Sequence, residues 1–421
     1  MNTRKLLAAT RRAALVTLAT IAAAAGTTAN AQDWVGSWGA SPLRPTPGGG
    51  PFPATPSFDN QTVRQVVRLS VGGNQLRLRL TNEYGTKAVA IGAARVALAD
   101  GGDKIVPGTD HLVTFDGGKS SATMLPGAPL VSDPIDFKVD DLATLSISLY
   151  FSGDTGPCTC HQTGMQDALV SDKGNFTTGV FKPARTGQER VFLSAVDVHA
   201  PRAQAVVVLG DSISDGIGST AGANKRWPDL LAERLSTSNR GKGRWGIVNE
   251  GISGNRVLSD GAGDSALARF DRDVLAVPGA THVVVFEGVN DLGLGYGKLE
   301  GPIAALMPPP AMKPTRDALV AGYRQLIARA HAHGLKIYGA TIAPYGGAAY
   351  YTEDGEVVRQ AINQWIRDSR EFDGVLDFDA VLRDPAKPSQ IKEGLHAGDH
   401  LHGSDAGYRL VADSIDLGLF K

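Results

Sequence analysis

The stretch VVVLGDSISDGIGST, residues 206–220, runs apolar and then breaks into Gly210-Asp211-Ser212. A serine at the end of a buried strand has two readings. It can be a turn residue between strand and helix, or a nucleophile at the carboxyl edge where open α/β sheets place their ligands. The second reading needs a neutral imidazole to take the hydroxyl proton, a carboxylate to fix its tautomer, and N–H donors for an oxyanion. Near the other end of the chain, HAGDHLHGSDAGY offers the first two: Asp399 and His402 stand three apart on a loop, where a carboxylate can fold back to hold a nearby ring. A competing reading takes His396, Asp399, His400 and His402 as metal ligands, since imidazole suits zinc. That cluster has no obvious carboxylate or histidine partner outside the loop.

Donors follow two further strand-like runs. In WGIVNEGISGNR, Gly254 can turn its backbone N–H into a crevice because no side chain obstructs it. In VVVFEGVNDLG, Asn290 offers a side-chain amide. With the N–H of Ser212 these make three oxyanion-hole donors: Ser212, Gly254 and Asn290. Losing one such donor typically costs about 3 kcal/mol in the transition state. Singly, each has an ordinary explanation as a turn glycine, a helix cap or a surface histidine. Their chain order, each after an expected strand, argues against accident.

The elements that must carry these residues divide the chain. Residues 1–31 have a basic start, an apolar middle and the ending Ala29-Asn30-Ala31, the pattern of a signal peptide. The apolar stretch 13–25 is too short and Ala-rich to span a membrane well, and Arg11-Arg12 suits a twin-arginine exporter, with ordinary export the competitor. The expectation is a periplasmic or secreted protein starting near Gln32. No later segment reads as an integral membrane segment. From about 32 to 200 the pattern is strand-like. RLSVGGNQLRLRLTN alternates on both sides of Gly72-Gly73 and predicts a hairpin with one buried and one wet face, and LATLSISLYF repeats the alternation. Helical periodicity is nearly absent, so this part is expected to be an all-β sandwich of jelly-roll type. TPGGGPFPATP reads as a surface loop.

From 201 to 421 the period changes. AQAVVVLG, THVVVFEG, LKIYGATIAP and GVLDF read as strands covered on both faces, and helical patterns lie between them at 227–235, 264–277, 315–333 and 356–370. Alternating β and α predicts a parallel sheet in a three-layer α/β/α sandwich. GLGYGKLEGPIAALMPPPAMKP reads as a long loop near the carboxyl edge of that sheet.

Composition sets the outer bounds. With 42% hydrophobic and 20% charged residues the chain is an ordinary globular one, and a formal net charge of -1 leaves no footprint for nucleic acid and no cationic face for a membrane. The two cysteines, Cys158 and Cys160 in GPCTCHQTG, read first as loop thiols and second as a labile disulfide; with His161 beside them they are a weak zinc signal.

Four blocks, GDSISDG with Ser212, NEGISGNR with Gly254, GVND with Asn290 and DHLH with Asp399 and His402, resemble the SGNH (GDSL-like) hydrolases over roughly residues 201–421. The resemblance implies a flavodoxin-like α/β/α domain, Ser212 as nucleophile, His402 as base, Asp399 as its orienting acid, and ester hydrolysis through an acyl-enzyme with no cofactor and no metal. Gly403 departs from the family, which often has Pro after the His. The strand-rich half, in WVGSWGASP and FDNQTVRQVVRLSVGGNQLRLRLTNEYG, is similar to the β-sandwich module that precedes the hydrolase in exported bacterial members. The expected substrate is an ester with a short acyl group such as acetyl, on a carbohydrate, acetylated polysaccharide or small molecule. Trp227, Tyr296, Tyr345, Tyr350 and Tyr351 are candidates for stacking on sugars or for core packing. The alternatives are a lipase or arylesterase on more apolar esters, or an inert carbohydrate-binding protein.

Overall fold

The computed structural model describes residues 33–48, 54–238, 244–300, 304, 307–310 and 312–420. The segment 1–31, expected to be a signal peptide, and part of the expected 46–56 loop lie outside the described residues.

The second half is built on a five-stranded parallel sheet in the order Trp245–Gly251, Gln204–Gly210, Ala280–Phe286, Lys336–Ala340, Gly374–Leu376. Its middle strands centre on Val206-Val207-Val208 and Val283-Val284-Val285, which are buried on both faces. The register is what matters for the site, since Gly210 pairs with Gly251 on one side and with Phe286 on the other. Helices Trp227–Thr237, Arg316–Ala332, Glu353–Asp368 and Asp405–Ser414 alternate with these strands. The second of them starts where Thr315 accepts a hydrogen bond from the N–H of Ala318, as its sequence predicts. The pattern at 264–277 resolves into a short helix, Ala266–Phe270, running on as a π-helical turn, Asp271–Leu275. The long segment after Asp291 begins as a helix rather than a loop: Val289–Tyr296 is helical and mostly buried, so its glycines pack instead of punctuating.

The first half forms antiparallel sheets. Trp34–Gly39, Leu193–His199, Leu76–Thr81 and Pro129–Val131 make one; Pro183–Gly187, Ala168–Lys173, Gln61–Arg68, Thr144–Phe151, Val89–Leu98 and His111–Leu112 make the main path of the other. The expected hairpin about Gly72-Gly73 is not formed. Gln61–Arg68 pairs with Thr144–Phe151, while Leu76–Thr81 pairs with Leu193–His199, so the two glycines carry the chain from one sheet to the other. Alternation reports that a strand has a buried face, not which strand it pairs with. Thr144–Phe151 likewise has no wet face, since Ser146 and Ser148 are buried as well as the apolar residues that alternate with them. Cys158 and Cys160 form a buried disulfide rather than two loop thiols, their Cα atoms 5.3 Å apart.

The halves meet along Trp34–Gly39, which packs on the edge strand Trp245–Gly251. Contact is close because Gly246 lies under Gly36: a Cβ at 246 would stand 2.1 Å from the Gly36 carbonyl oxygen. Ser70 Oγ accepts a hydrogen bond from the N–H of Ile247 at 2.8 Å, satisfying a donor at the sheet's edge. A buried polar knot completes the seam. Ser41 Oγ lies 2.7 Å from Glu250 Oε2 and 2.8 Å from Asp273 Oδ2, and Arg269 Nη1 donates to it at 3.0 Å.

Burial, reinforced by the adjacent Asp273 carboxylate, pushes Glu250 up to about 8. A carboxyl whose folded pKa is raised stabilises the fold at acid pH, and that contribution is lost as pH rises through about 8. Glu250→Gln, which cannot ionise, should gain on the wild type as pH rises from about 4.5, where the unfolded carboxyl ionises, to about 8, and hold that gain above it. Denaturant melts at a series of pH values check this; a stability gap that does not change with pH refutes it.

Candidate active site

The strand Gln204–Gly210 ends in a one-turn helix, Ser212–Asp215, whose N-terminus is capped by Asp211 accepting from the N–H of Ile213 at 2.9 Å. This turn holds Ser212 at the sheet's carboxyl edge. Ser212 Oγ lies 2.8 Å from His402 Nε2, and His402 Nδ1 lies 2.5 Å from Asp399 Oδ2. The other carboxylate oxygen of Asp399 accepts the N–H groups of Leu401 at 3.0 Å and His402 at 2.9 Å, so the acid is fixed by its own loop. Burial pushes Asp399 up, but the His402 ring and these two N–H groups outweigh it and hold the carboxyl well below its ordinary range. The side chains of His402 and Asp399 are 16% and 47% exposed, so the site opens to solvent on this side.

The His402 loop is tied back to the serine loop. Asp405 accepts from Thr220 N at 2.8 Å and Thr220 Oγ1 at 2.7 Å, and Tyr408 Oη donates to the Ile217 carbonyl at 2.5 Å. Gly403, the departure from the family's proline, faces the Tyr408 ring, which stands 2.8 Å from where a Cβ would be. The histidines weighed as metal ligands turn to different partners: His396 Nδ1 accepts the N–H of Gly398 at 3.0 Å and its ring packs on His400, while His402 faces Ser212.

Gly254 sits at φ +82°, a backbone conformation that favours glycine, and Met307 packs against it: a Cβ there would meet the Met307 methyl at 2.6 Å. Among the described residues neither the Ser212 nor the Gly254 N–H has a backbone acceptor. Asn290, in the first turn of Val289–Tyr296, donates one amide hydrogen to the Asn255 carbonyl at 3.0 Å, leaving the other. The three donors therefore follow three adjacent strands of the sheet.

Two residues that sequence reasoning passed over fix this arrangement. Tyr350 Oη lies 3.1 Å from Asn290 Oδ1 and, as a donor, sets which way the amide points. Asp291 accepts the N–H groups of Val257 at 2.8 Å and Leu258 at 3.1 Å, tying the Gly254 loop to the Asn290 helix; burial pushes its carboxyl up to about 6. Asp291 stands in the GVND block itself and was legible there as a second polar side chain. In the sequence Tyr350 is a candidate for sugar stacking or core packing, and nothing local marks it as a partner of Asn290. The structure buries Trp227, Tyr345 and Tyr350, which are packing residues.

Residues 208–410 match the family described as GDSL-like Lipase/Acylhydrolase. No curated protein matches the sequence. Among solved structures, a GDSL-like lipase from Bacteroides thetaiotaomicron is similar at 16% identity, covering 51% of this chain and 87% of that one, with a TM-score of 0.38. A form of Axe2, an acetyl xylan esterase from Geobacillus stearothermophilus, is similar at 21% identity, covering 50% of this chain and 92% of that one, also with a TM-score of 0.38. Residues 208–410 therefore carry a GDSL-like lipase/acylhydrolase domain, that of a serine ester hydrolase.

Proposed function

We propose that the chain hydrolyses carboxylic esters with short acyl groups through an acyl-enzyme on Ser212. The observation that carries this is the chain of contacts from Ser212 Oγ through His402 to Asp399 at 2.8 and 2.5 Å. Ser212 attacks the ester carbonyl while His402 Nε2 takes its proton, and the Ser212 and Gly254 N–H groups with the Asn290 amide hold the oxyanion. The alcohol leaves with the proton from His402, and water repeats the cycle on the acyl-enzyme. Asp399, kept ionised, holds the ring and balances the imidazolium that forms.

The acyl preference is read from Met307, whose methyl lies against Gly254 and shortens the space beside the proposed donors. The exposed Asp399 side lets a large alcohol, such as an acetylated polysaccharide, approach. In this reading residues 201–421 are a flavodoxin-like α/β/α hydrolase domain, 32–200 a jelly-roll-like sandwich, and the protein acts in the periplasm or outside the cell.

Ser212→Ala should abolish hydrolysis of p-nitrophenyl acetate without lowering the melting temperature; retained turnover overturns the assignment. Asp399→Asn should lower kcat by about 10³ to 10⁴, since it offers His402 the wrong tautomer. Across p-nitrophenyl esters of increasing chain length, kcat/KM should peak at acetate or propionate, and Met307→Ala should move the peak to longer chains; a peak at long acyl chains in the wild type refutes the short-acyl reading. Tyr350→Phe, which removes only the hydroxyl that orients Asn290, should cut kcat about tenfold and leave KM within about twofold, measured by steady-state kinetics.

A further inference from the structure

His161, in the stretch GPCTCHQTG of the antiparallel half, is buried, at 3% exposure. Its ring spans two acceptors. Nε2 lies 2.9 Å from Asp215 Oδ1 and Nδ1 lies 3.0 Å from the Ser41 carbonyl oxygen. Asp215 is equally buried and sits three residues after Ser212, on the same helical turn. Its second oxygen collects Thr163 Oγ1 from the same loop, Ser253 Oγ at 2.7 Å and Ser253 N at 3.2 Å. Ser253 immediately precedes Gly254. The first half of the chain therefore supplies two of the four donors on a carboxylate that joins the turn of the nucleophile to the turn of the Gly254 donor.

We propose that His161 and Thr163 are positioning residues for ester hydrolysis: by clamping Asp215 they fix the Ser253-Gly254 turn, so that the antiparallel half is a working part of the active site. This rests on the reading of Ser212 and Gly254 given above. Three observations carry it. First, the carboxylate is fully committed. Burial pushes Asp215 up, but the His161 ring and the Thr163 and Ser253 hydrogen bonds outweigh it and hold the carboxyl below its ordinary value, so it remains a charged acceptor. Second, the clamp is braced from behind. Cys160 and His161 pair with Val191 and Arg190, Leu43 N donates to the Cys160 carbonyl at 3.1 Å, and the Cys158–Cys160 disulfide closes the loop one residue before His161. Third, the other hydrogen bonds of this loop fall on the residues around Ser253 and Gly254: Ile252 N donates to the Gly210 carbonyl at 2.9 Å, Asn255 N to the Ile252 carbonyl at 3.0 Å, and Val257 N and Leu258 N to Asp291, while among the described residues Ser253 itself is held by Asp215 and, at 3.2 Å, by Thr163 Oγ1. An oxyanion donor must be held to within about 0.5 Å to act, so loosening the clamp should cost rate before it costs binding.

The test is steady-state hydrolysis of p-nitrophenyl acetate by the full chain carrying His161→Ala, His161→Gln or Thr163→Val, with Ser212→Ala in parallel. His161→Ala and Thr163→Val should each lower kcat by about tenfold with KM within about twofold, and His161→Gln, which still presents one N–H to Asp215, should recover part of the loss. Thr163→Val leaves the His161–Asp215 contact in place and keeps the test open if His161→Ala fails to fold. Full kcat in Thr163→Val, or a rise in KM that accounts for the whole loss in kcat/KM, overturns the clamp. If Ser212→Ala itself keeps turning over, the reading of the active site has failed and the clamp falls with it; if Ser212→Ala is dead while both clamp variants keep full kcat, the clamp alone has failed.

Discussion

Gly210 pairs with Gly251 and with Phe286 at one level of the sheet, and everything the site does depends on that register. Three parallel strands that end together start three loops from one line, and those loops deliver Ser212, Gly254 and Asn290. A slip of one residue would displace a loop by about 3.3 Å and turn its side chains to the other face. Arg269 locks the line from below: its guanidinium donates to the Glu250 carbonyl and, at 3.0 Å, to the Gly210 carbonyl and to Asn255 Oδ1. A buried guanidinium is costly, and it is tolerated because Asp273 at 3.0 Å balances its charge while Glu287 at 3.4 Å and strand-end oxygens take its hydrogens.

The carboxyls around the serine divide by environment. Asp399, half exposed and holding His402, is kept ionised. Asp211 beside the serine is pushed up to about 7, chiefly by burial, and Asp291 to about 6 for the same reason. Environments that push neighbouring acids apart assign them different work. The charge facing His402 belongs to Asp399, while Asp211 caps a helical turn and Asp291 holds backbone N–H groups.

Much of this was legible in the residues. The change from period-two alternation to apolar runs separated the halves because a sheet wet on one face and a sheet covered on both have different patterns. Three of the four blocks were legible because each sits where a strand of the parallel sheet stops, while DHLH lies well past the last of those strands, Gly374–Leu376. Strand partners were not: Gln61–Arg68 and Leu76–Thr81 alternate as a hairpin would, and only the packed core places them in different sheets. Tyr350 was opaque for the same reason, since its contact with Asn290 is made across 60 residues and no local pattern encodes it. His161 raised a question in the sequence, standing beside the two cysteines, but its partner Asp215 lies across the seam between the halves.

Ser212 and His402 are 190 residues apart in the chain, and the loop bearing the histidine is anchored to the serine loop by Asp405 and Tyr408. During synthesis the nucleophile, both neighbouring strands and the Asn290 helix emerge well before the base. A nascent chain can therefore assemble most of the sheet while its serine hydroxyl still has no proton acceptor, and hydrolytic competence arrives as a late event of maturation.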